Sequence, residues 1–239
     1  MKVLRLFCLG ASALLVAVPA ALSPAAGSAH APDTIQLESG SSCEAVAFDT
    51  SQSRFRSGLD NQGTVFGNAI EPTSGYWEDG GADAYAVGFE WEAPYELRNH
   101  FTFDLASLAP GSATGAVLVL RNGNDWSYGP GGLFRIREVT TAPSALNLHT
   151  APPGPVFSDL GTGPVYGAKR IVKSTARGSV VRIRLNERGL AAVNSAAGGY
   201  FSVGGRLTNP NAEFFSILWR ETSSSYGVQR LVVTTDQCG

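Results

Sequence analysis

The sequence predicts an all-β protein: a two-sheet antiparallel sandwich of jelly-roll or Greek-key type with one short helix. Three observations predict it. The stretch from Leu97 to Leu105 alternates large apolar residues (Leu97, Phe101, Phe103, Leu105) with polar ones (Arg98, His100, Thr102, Asp104). That period of two marks a strand with one face in a core and one face wet. Comparable short runs recur along the chain, separated by turns rich in Gly, Pro and Asn. A single segment carries helical spacing with matching end signals.

The chain opens on Lys2 and Arg5, an apolar run through Leu22, and Ala29-His30-Ala31. These are the three parts of a secretory signal peptide, with cleavage expected after Ala31. Pro19, Ser23 and Pro24 interrupt the apolar run, whereas a spanning helix needs about 20 apolar residues in a row. The expected organisation is a signal peptide over 1–31 and one β-sandwich domain over 32–239, secreted and extracellular, with no membrane span after cleavage. Without Lys2 and Arg5 the chain holds 16 basic and 20 acidic residues, a formal charge of −4. That balance argues against nucleic acid as a partner. Cys43 and Cys238 remain after cleavage, and in an oxidising compartment an even pair reads as a disulfide. Closing nearly the whole chain would contribute at most about 5 kcal/mol, and it predicts that the first and last strands lie side by side.

Taken in order, strands are expected at 43–48, 63–67 and 84–91, then at 97–105. Residues 73–83, rich in Gly, Asp and aromatics, read as an exposed loop, as do 122–132. Further strands follow at 115–121, 133–139, 165–172 and 180–185. The proline-rich stretch 140–164 reads as an irregular connection across one end of the sandwich. The helix begins after Asn186 as N-cap, with Glu187 in its first turn and Leu190, Ala191 and Val193 at helical spacing; Gly198-Gly199 ends it. Strands at 200–207, 213–219 and 229–235 complete the chain. Asn99 is the one polar residue on the apolar side of 97–105, and if buried it requires a hydrogen-bond partner.

Several segments resemble a group of uncharacterised exported bacterial β-sandwich proteins. They are Arg98 to Leu105 with Ala113 to Leu120, Asp159 to Gly167, Leu190 to Asn194, and Gly198 to Gly205. More distantly, Phe101-x-Phe103-Asp104 followed by Ala116-x-Leu118-x-Leu120 is similar to jelly-roll carbohydrate-binding modules of secreted polysaccharide enzymes. The resemblance implies a sandwich fold and an extracellular role, and it brings no activity with it.

Two aromatic pairs, Tyr76-Trp77 and Trp126-x-Tyr128, fall in predicted loops. Flat apolar rings with a polar edge suit stacking on sugars, so these four residues are the candidate ligand-binding set. The same rings could instead cap the ends of the sandwich. Trp91 and Trp219, within strand patterns, are assigned to the core. Seven carboxylates fall between Tyr76 and Asp104, against Arg98 alone. Either they pair with the basic segment 121–188 across strands, or Asp79 and Asp83 begin a Ca²⁺ site with loop carbonyls; no other cofactor is expected. Only His100 and His149 supply imidazoles after cleavage, and no Gly-x-Ser-x-Gly, His-Glu-x-x-His or Cys-x-x-Cys motif occurs. His100 and Asp104 share a strand face at roughly 13 Å, too far for a dyad.

The leading expectation is therefore a secreted non-enzymatic sandwich that binds polysaccharide or cell-envelope glycan through loop aromatics. The alternative is a structural or matrix protein with no small ligand. A polysaccharide hydrolase or lyase comes third, since two placed carboxylates can suffice for glycoside cleavage.

Overall fold

The computed structural model describes residues 45–51, 55, 61–68, 71, 74–77, 85–89, 95–121, 127–128, 132–171, 179–208, 214–217 and 229–236. The expected leader, both cysteines, Asp79, Asp83, Trp91, Trp126 and Trp219 lie outside these residues. The strands are β1 (Ala45–Asp49), β2 (Gln62–Asn68), β3 (Gly75–Trp77), β4 (Val87–Phe89), β5 (Tyr95–Asp104), β6 (Ala113–Arg121) and β7 (Ser127–Tyr128). They continue as β8 (Gly132–Glu138), β9 (Val165–Ile171), β10 (Val180–Arg184), β11 (Tyr200–Thr208), β12 (Phe214–Ile217) and β13 (Arg230–Thr235). Among the described residues three helices join them: α1 (Pro143–Asn147), α2 (Pro153–Thr162) and α3 (Glu187–Ala196).

The smaller sheet has the order β1-β13-β6-β10; the larger runs β7-β12-β4-β5-β11-β8-β9, with β2 on β5 and β3 on β2. All of these pairings are antiparallel. Four of them define the topology: β1 with β13, β5 with β11, β6 with β10, and β8 with β9. These are the rungs of one long hairpin, from β1 with β13 at its open end to β8 with β9 at its tip, wrapped so that alternate rungs fall in opposite sheets. That is the jelly roll. The remaining strands β2, β3, β4, β7 and β12 widen the larger sheet around the first half of β5.

Between the sheets lies the main core. Phe101 and Phe103 of β5, with Leu105 just after it, meet Leu118 and Leu120 of β6, Phe134 and Ile136 of β8, and Leu231 and Val233 of β13. Helix α3 closes one end of it, packing Val193, Leu190 and Ala192 inward. Asn186 caps the helix by accepting from the Gly189 N–H at 3.0 Å, and Gly198 follows at φ +82°, so the end signals read from sequence are the ones used. Asn99 is fully buried and donates to the Tyr85 carbonyl at 2.7 Å, which is the partner its position required.

Two features depart from the sequence reading. The polar face of β5 is not wet: Glu96, Arg98, His100 and Thr102 are all buried. The segment 140–164 is not irregular either; it forms α1 and α2, which lie over that face and make a third layer. Pro143 and Pro153 each stand in the first turn of a helix, where the missing N–H has no intrahelical acceptor to lose. Val156, Phe157 and Leu160 then turn one apolar face of α2 onto Val65, and Leu146 of α1 joins them. Full burial of each such side chain contributes about 1.5–3 kcal/mol.

Close approach of α2 depends on missing side chains beneath it. A Cβ on Gly204 of β11 would meet the Leu160 carbonyl oxygen at 2.8 Å and its Cα at 2.9 Å, and backbone atoms cannot swing aside. A Cβ on Gly67 would enter the Phe157 ring, and one on Gly161 the Arg98 guanidinium. Gly204→Ala is therefore expected to lower the unfolding free energy by about 1–3 kcal/mol through overpacking. Urea unfolding of the full chain measures it, and a change within error would show that α2 is not held at this distance.

Candidate functional site

The aromatic residues of β2, β3 and the start of β5 sit on a regular lattice. Tyr76 of β3 stands opposite Phe66 of β2, and Phe66 stands opposite Leu97 of β5. Directly opposed residues of antiparallel strands share a face, and Tyr95 shares it with Leu97 by alternation. Leu97 and Phe66 fall outside the main core and form a separate cluster with Ala86. Here the larger sheet extends past its partner. Tyr76 is 51% exposed and Tyr95 41% exposed, while the ring of Tyr76 lies flat on Phe66 at 4.8 Å and 4°. The result is a shelf of two exposed tyrosines about 12 Å apart, from two strand spacings and one two-residue step, with Phe66 as its floor.

Trp77 belongs to the other face. Gly75–Trp77 is a strand rather than a loop, so consecutive side chains point to opposite sides of the sheet. The indole N–H donates to the Ala151 carbonyl at 3.2 Å, and its face stacks on His149 at 4.2 Å and 5°. Trp77 thus clamps the link between α1 and α2. Tyr128 lies on β7, five strand steps from β3 across the same sheet, about 24 Å away. The structure therefore joins Tyr76 with Tyr95, which the pairing of aromatics in sequence did not single out. The signal was present, because Tyr95 heads the alternating run that continues through Leu97.

Under α2 lies a polar layer. The Glu96 carboxylate accepts from Arg98 Nε and an Arg98 terminal nitrogen, both at 2.9 Å, and from Arg206 Nε at 2.7 Å. The other terminal nitrogen of Arg98 donates to the Phe157 carbonyl at 2.6 Å, and the guanidinium lies 3.8 Å from the centre of the Phe157 ring. Burial works against the charge on Arg98, and Glu96 acts to restore it. Glu96 of the acidic stretch thus finds its cationic partners in its own strand and in β11 rather than in segment 121–188, while Glu78, Asp79, Asp83, Glu90 and Glu92 lie outside the described residues.

His100 is fully buried beside this group, with the edge of Trp77 6.0 Å away between ring centres. Its cross-strand neighbours on both sides are glycines, Gly63 and Gly204. Neither ring nitrogen has a hydrogen-bond partner, so it holds no proton relay. On the other side of the fold, a groove of about 740 Å³ runs between β10 and α3, lined by Thr114, Arg184, Asn186, Glu187 and Arg188 among others. Asn186 there is spent on the helix cap and on the Val165 carbonyl. No group of three or more metal-ligating side chains occurs among the described residues, and no helix among them is long and apolar enough to cross a membrane.

No protein-family model matches the chain, and no curated protein matches it. Among solved structures, the K3 cleaved adhesin domain of Lys-gingipain from Porphyromonas gingivalis w83 is similar at 12% identity. The match covers 80% of this chain and 100% of that one, with a TM-score of 0.32. So loose a superposition adds nothing to the topology derived above.

Burial lowers the His100 pKa from 6.5 to about 3, with His149 adding a smaller effect in the same direction. Between those values the unfolded chain binds a proton that the native state excludes. The stabilising contribution is therefore present above about pH 6.5 and is lost as pH falls towards 3, at about 1.4 kcal/mol per pH unit. Urea unfolding of the wild type should lose about 3 kcal/mol more than His100→Leu between about pH 7 and pH 4.5. Parallel profiles would mean that the imidazole is solvated.

Proposed function

We propose that this protein is an exported, non-enzymatic binding module that holds polysaccharide or cell-envelope glycan on the Tyr76–Tyr95 shelf. The observation that carries the reading is the pair of exposed tyrosines on the sheet face that the smaller sheet leaves uncovered. Phenol rings there offer apolar faces to the C–H side of a sugar and hydroxyls at the rim, and their separation lets two rings of one glycan chain be met at once. A rigid sheet holds them at little entropic cost on binding. Participation of Trp126 and Tyr128 rests on sequence alone, as does a Ca²⁺ ion at Asp79 and Asp83. The use of Trp77 as an internal clamp favours the rival reading, a structural or matrix protein, for that residue only.

A polysaccharide pull-down with a glycan array tests the proposal. Tyr76→Ala and Tyr95→Ala should each weaken binding by about 1–2 kcal/mol, roughly the loss of one stacked ring, with the melting temperature little changed. Absence of binding to any glycan, or binding indifferent to both substitutions, would leave the structural reading ahead.

The export reading also includes a Cys43–Cys238 disulfide. The pairing of β1 with β13, with Ala45 opposite Thr234, supports it by bringing the two chain ends to neighbouring strands. Reduction should lower the melting temperature, by up to about 5 kcal/mol of stability, and a titration that finds two free thiols in the exported protein would dismiss the bond.

A further inference from the structure

We propose that the part of the outer face of β11, β8 and β9 that lies beyond α2 is a binding strip for an acidic polysaccharide, with exposed Arg170 and half-buried Arg135, Arg137 and Arg206 as its cationic contacts. The strip lies on the opposite face of the larger sheet from the tyrosine shelf and does not depend on it.

Register places the four on one face. Arg206 stands opposite Arg135, Gly204 opposite Arg137, and Leu133 is flanked by Thr208 on one side and Arg170 on the other. Opposed residues of antiparallel strands are about 5 Å apart at Cα, so the guanidinium groups of these rows are crowded together. The carboxylate that reaches Arg206 is Glu96 of β5, and it is already bound by Arg98 as well. Glu138 alternates to the other face, and Asp159 accepts from both N–H and hydroxyl groups of Thr140 and Thr141. Positive charge therefore exceeds negative by several units on one patch of a chain whose formal net charge is −2.

Among the described residues nothing relieves the excess. The Arg137 Nε is buried with no acceptor, although a terminal nitrogen donates to the Gly163 carbonyl at 2.6 Å. Burial, then the nearby charges of Arg135, Arg206 and Arg98, works against protonation of Arg137. A carboxylate or sulfate laid between these groups would neutralise them and accept bidentate hydrogen bonds. The geometry is an open sheet face spread over three strands, which fits an extended polyanion rather than a small enclosed ion. These rows hold no aromatic ring on which a nucleobase could stack and no large apolar side chain other than Leu133 to enter a bilayer.

Binding of the full chain to a sulfated polysaccharide (heparin) and to a carboxylated one (polygalacturonate) tests the proposal, with neutral dextran as control. The two acidic arms separate the possible anion sources, and binding in either one supports the strip. The wild type should bind at low salt, pass dextran by, and weaken as salt is added. Arg135 and Arg170 make no hydrogen bond or ion pair among the described residues, so Arg135→Ser with Arg170→Ser should leave folding intact and reduce affinity by about tenfold or more. Tyr76→Ala with Tyr95→Ala should leave this binding unchanged, which separates failure of the strip from failure of the shelf. The proposal is overturned by absence of binding in both acidic arms, by equal binding of the arginine double variant, or by tighter binding to duplex DNA or phosphatidylglycerol vesicles than to both polysaccharides.

Discussion

The fold depends on how the polar side of β5 is kept out of water. Glu96, Arg98, His100 and Thr102 are all buried, and charged groups in such a place cost several kcal/mol each unless they are matched. Glu96 and Arg98 meet that demand by pairing through both carboxylate oxygens, while Arg206 adds a second cation from the next strand. Taking away one partner of such a group typically costs about 3–5 kcal/mol, because the others stay buried and unpaired. An apolar replacement of the whole set would remove that risk. What it would also remove is direction: Arg98 donates to the Phe157 carbonyl, so the ion pair fixes where α2 sits along the strand. We read the triad as the registry device of the helical layer.

The helical layer has little else to fix it. Its apolar contact is one short row, Val156, Phe157 and Leu160 with Leu146 and Val65, and Trp77 reaches in from β3. Helix α2 is ten residues long, shorter than an isolated helix needs to be stable in water. Docking therefore carries its stability, and docking requires bare backbone at Gly67 and Gly204 for the helix to come close. Polar anchors complete the attachment: Asp159 ties the end of β8 to α2, and Asn147 of α1 donates to Thr102 at 3.1 Å. The same burial disfavours the charged ring of His100, which is why a neutral imidazole is held there.

Much of this was legible in the residues. Alternation located β5, β6, β8, β10, β11 and β13 because each has one face in the main core, and period two follows directly from that. Asn186 and Gly198 bounded α3 because capping chemistry is local. The helical layer was harder. Five prolines in 140–164 suggest a broken chain, yet two of them begin helices, and the spacing of Val156, Phe157 and Leu160 was the signal that outweighed them. The polar face of β5 looked wet for a related reason. Alternation tells which residues share a face, but not whether a later segment returns to cover it. In the candidate site, Tyr76 was found and its neighbour Trp77 was grouped with it, because three residues of β3 are too few to show a period. Their opposite facing follows only from pairing with β2.

The two exposed features have different geometric origins. The larger sheet has more strands than the smaller one can cover, which leaves part of its inner face open. The outer face of β8 and β9 belongs to the jelly roll itself, and α1 and α2 are too short to cover all of it. The added strands β2 and β3 carry the inner face beyond the core and expose the tyrosines, while β8 and β9 carry the outer face beyond α2, with Arg170 exposed and Arg135 and Arg137 half-buried. Exposed aromatic rings and uncompensated guanidinium groups both reduce stability or solubility unless something binds them. Adding β2 and β3 opens the tyrosine shelf while leaving the jelly-roll pairing intact, and the arginine rows occupy an outer face that this pairing already provides.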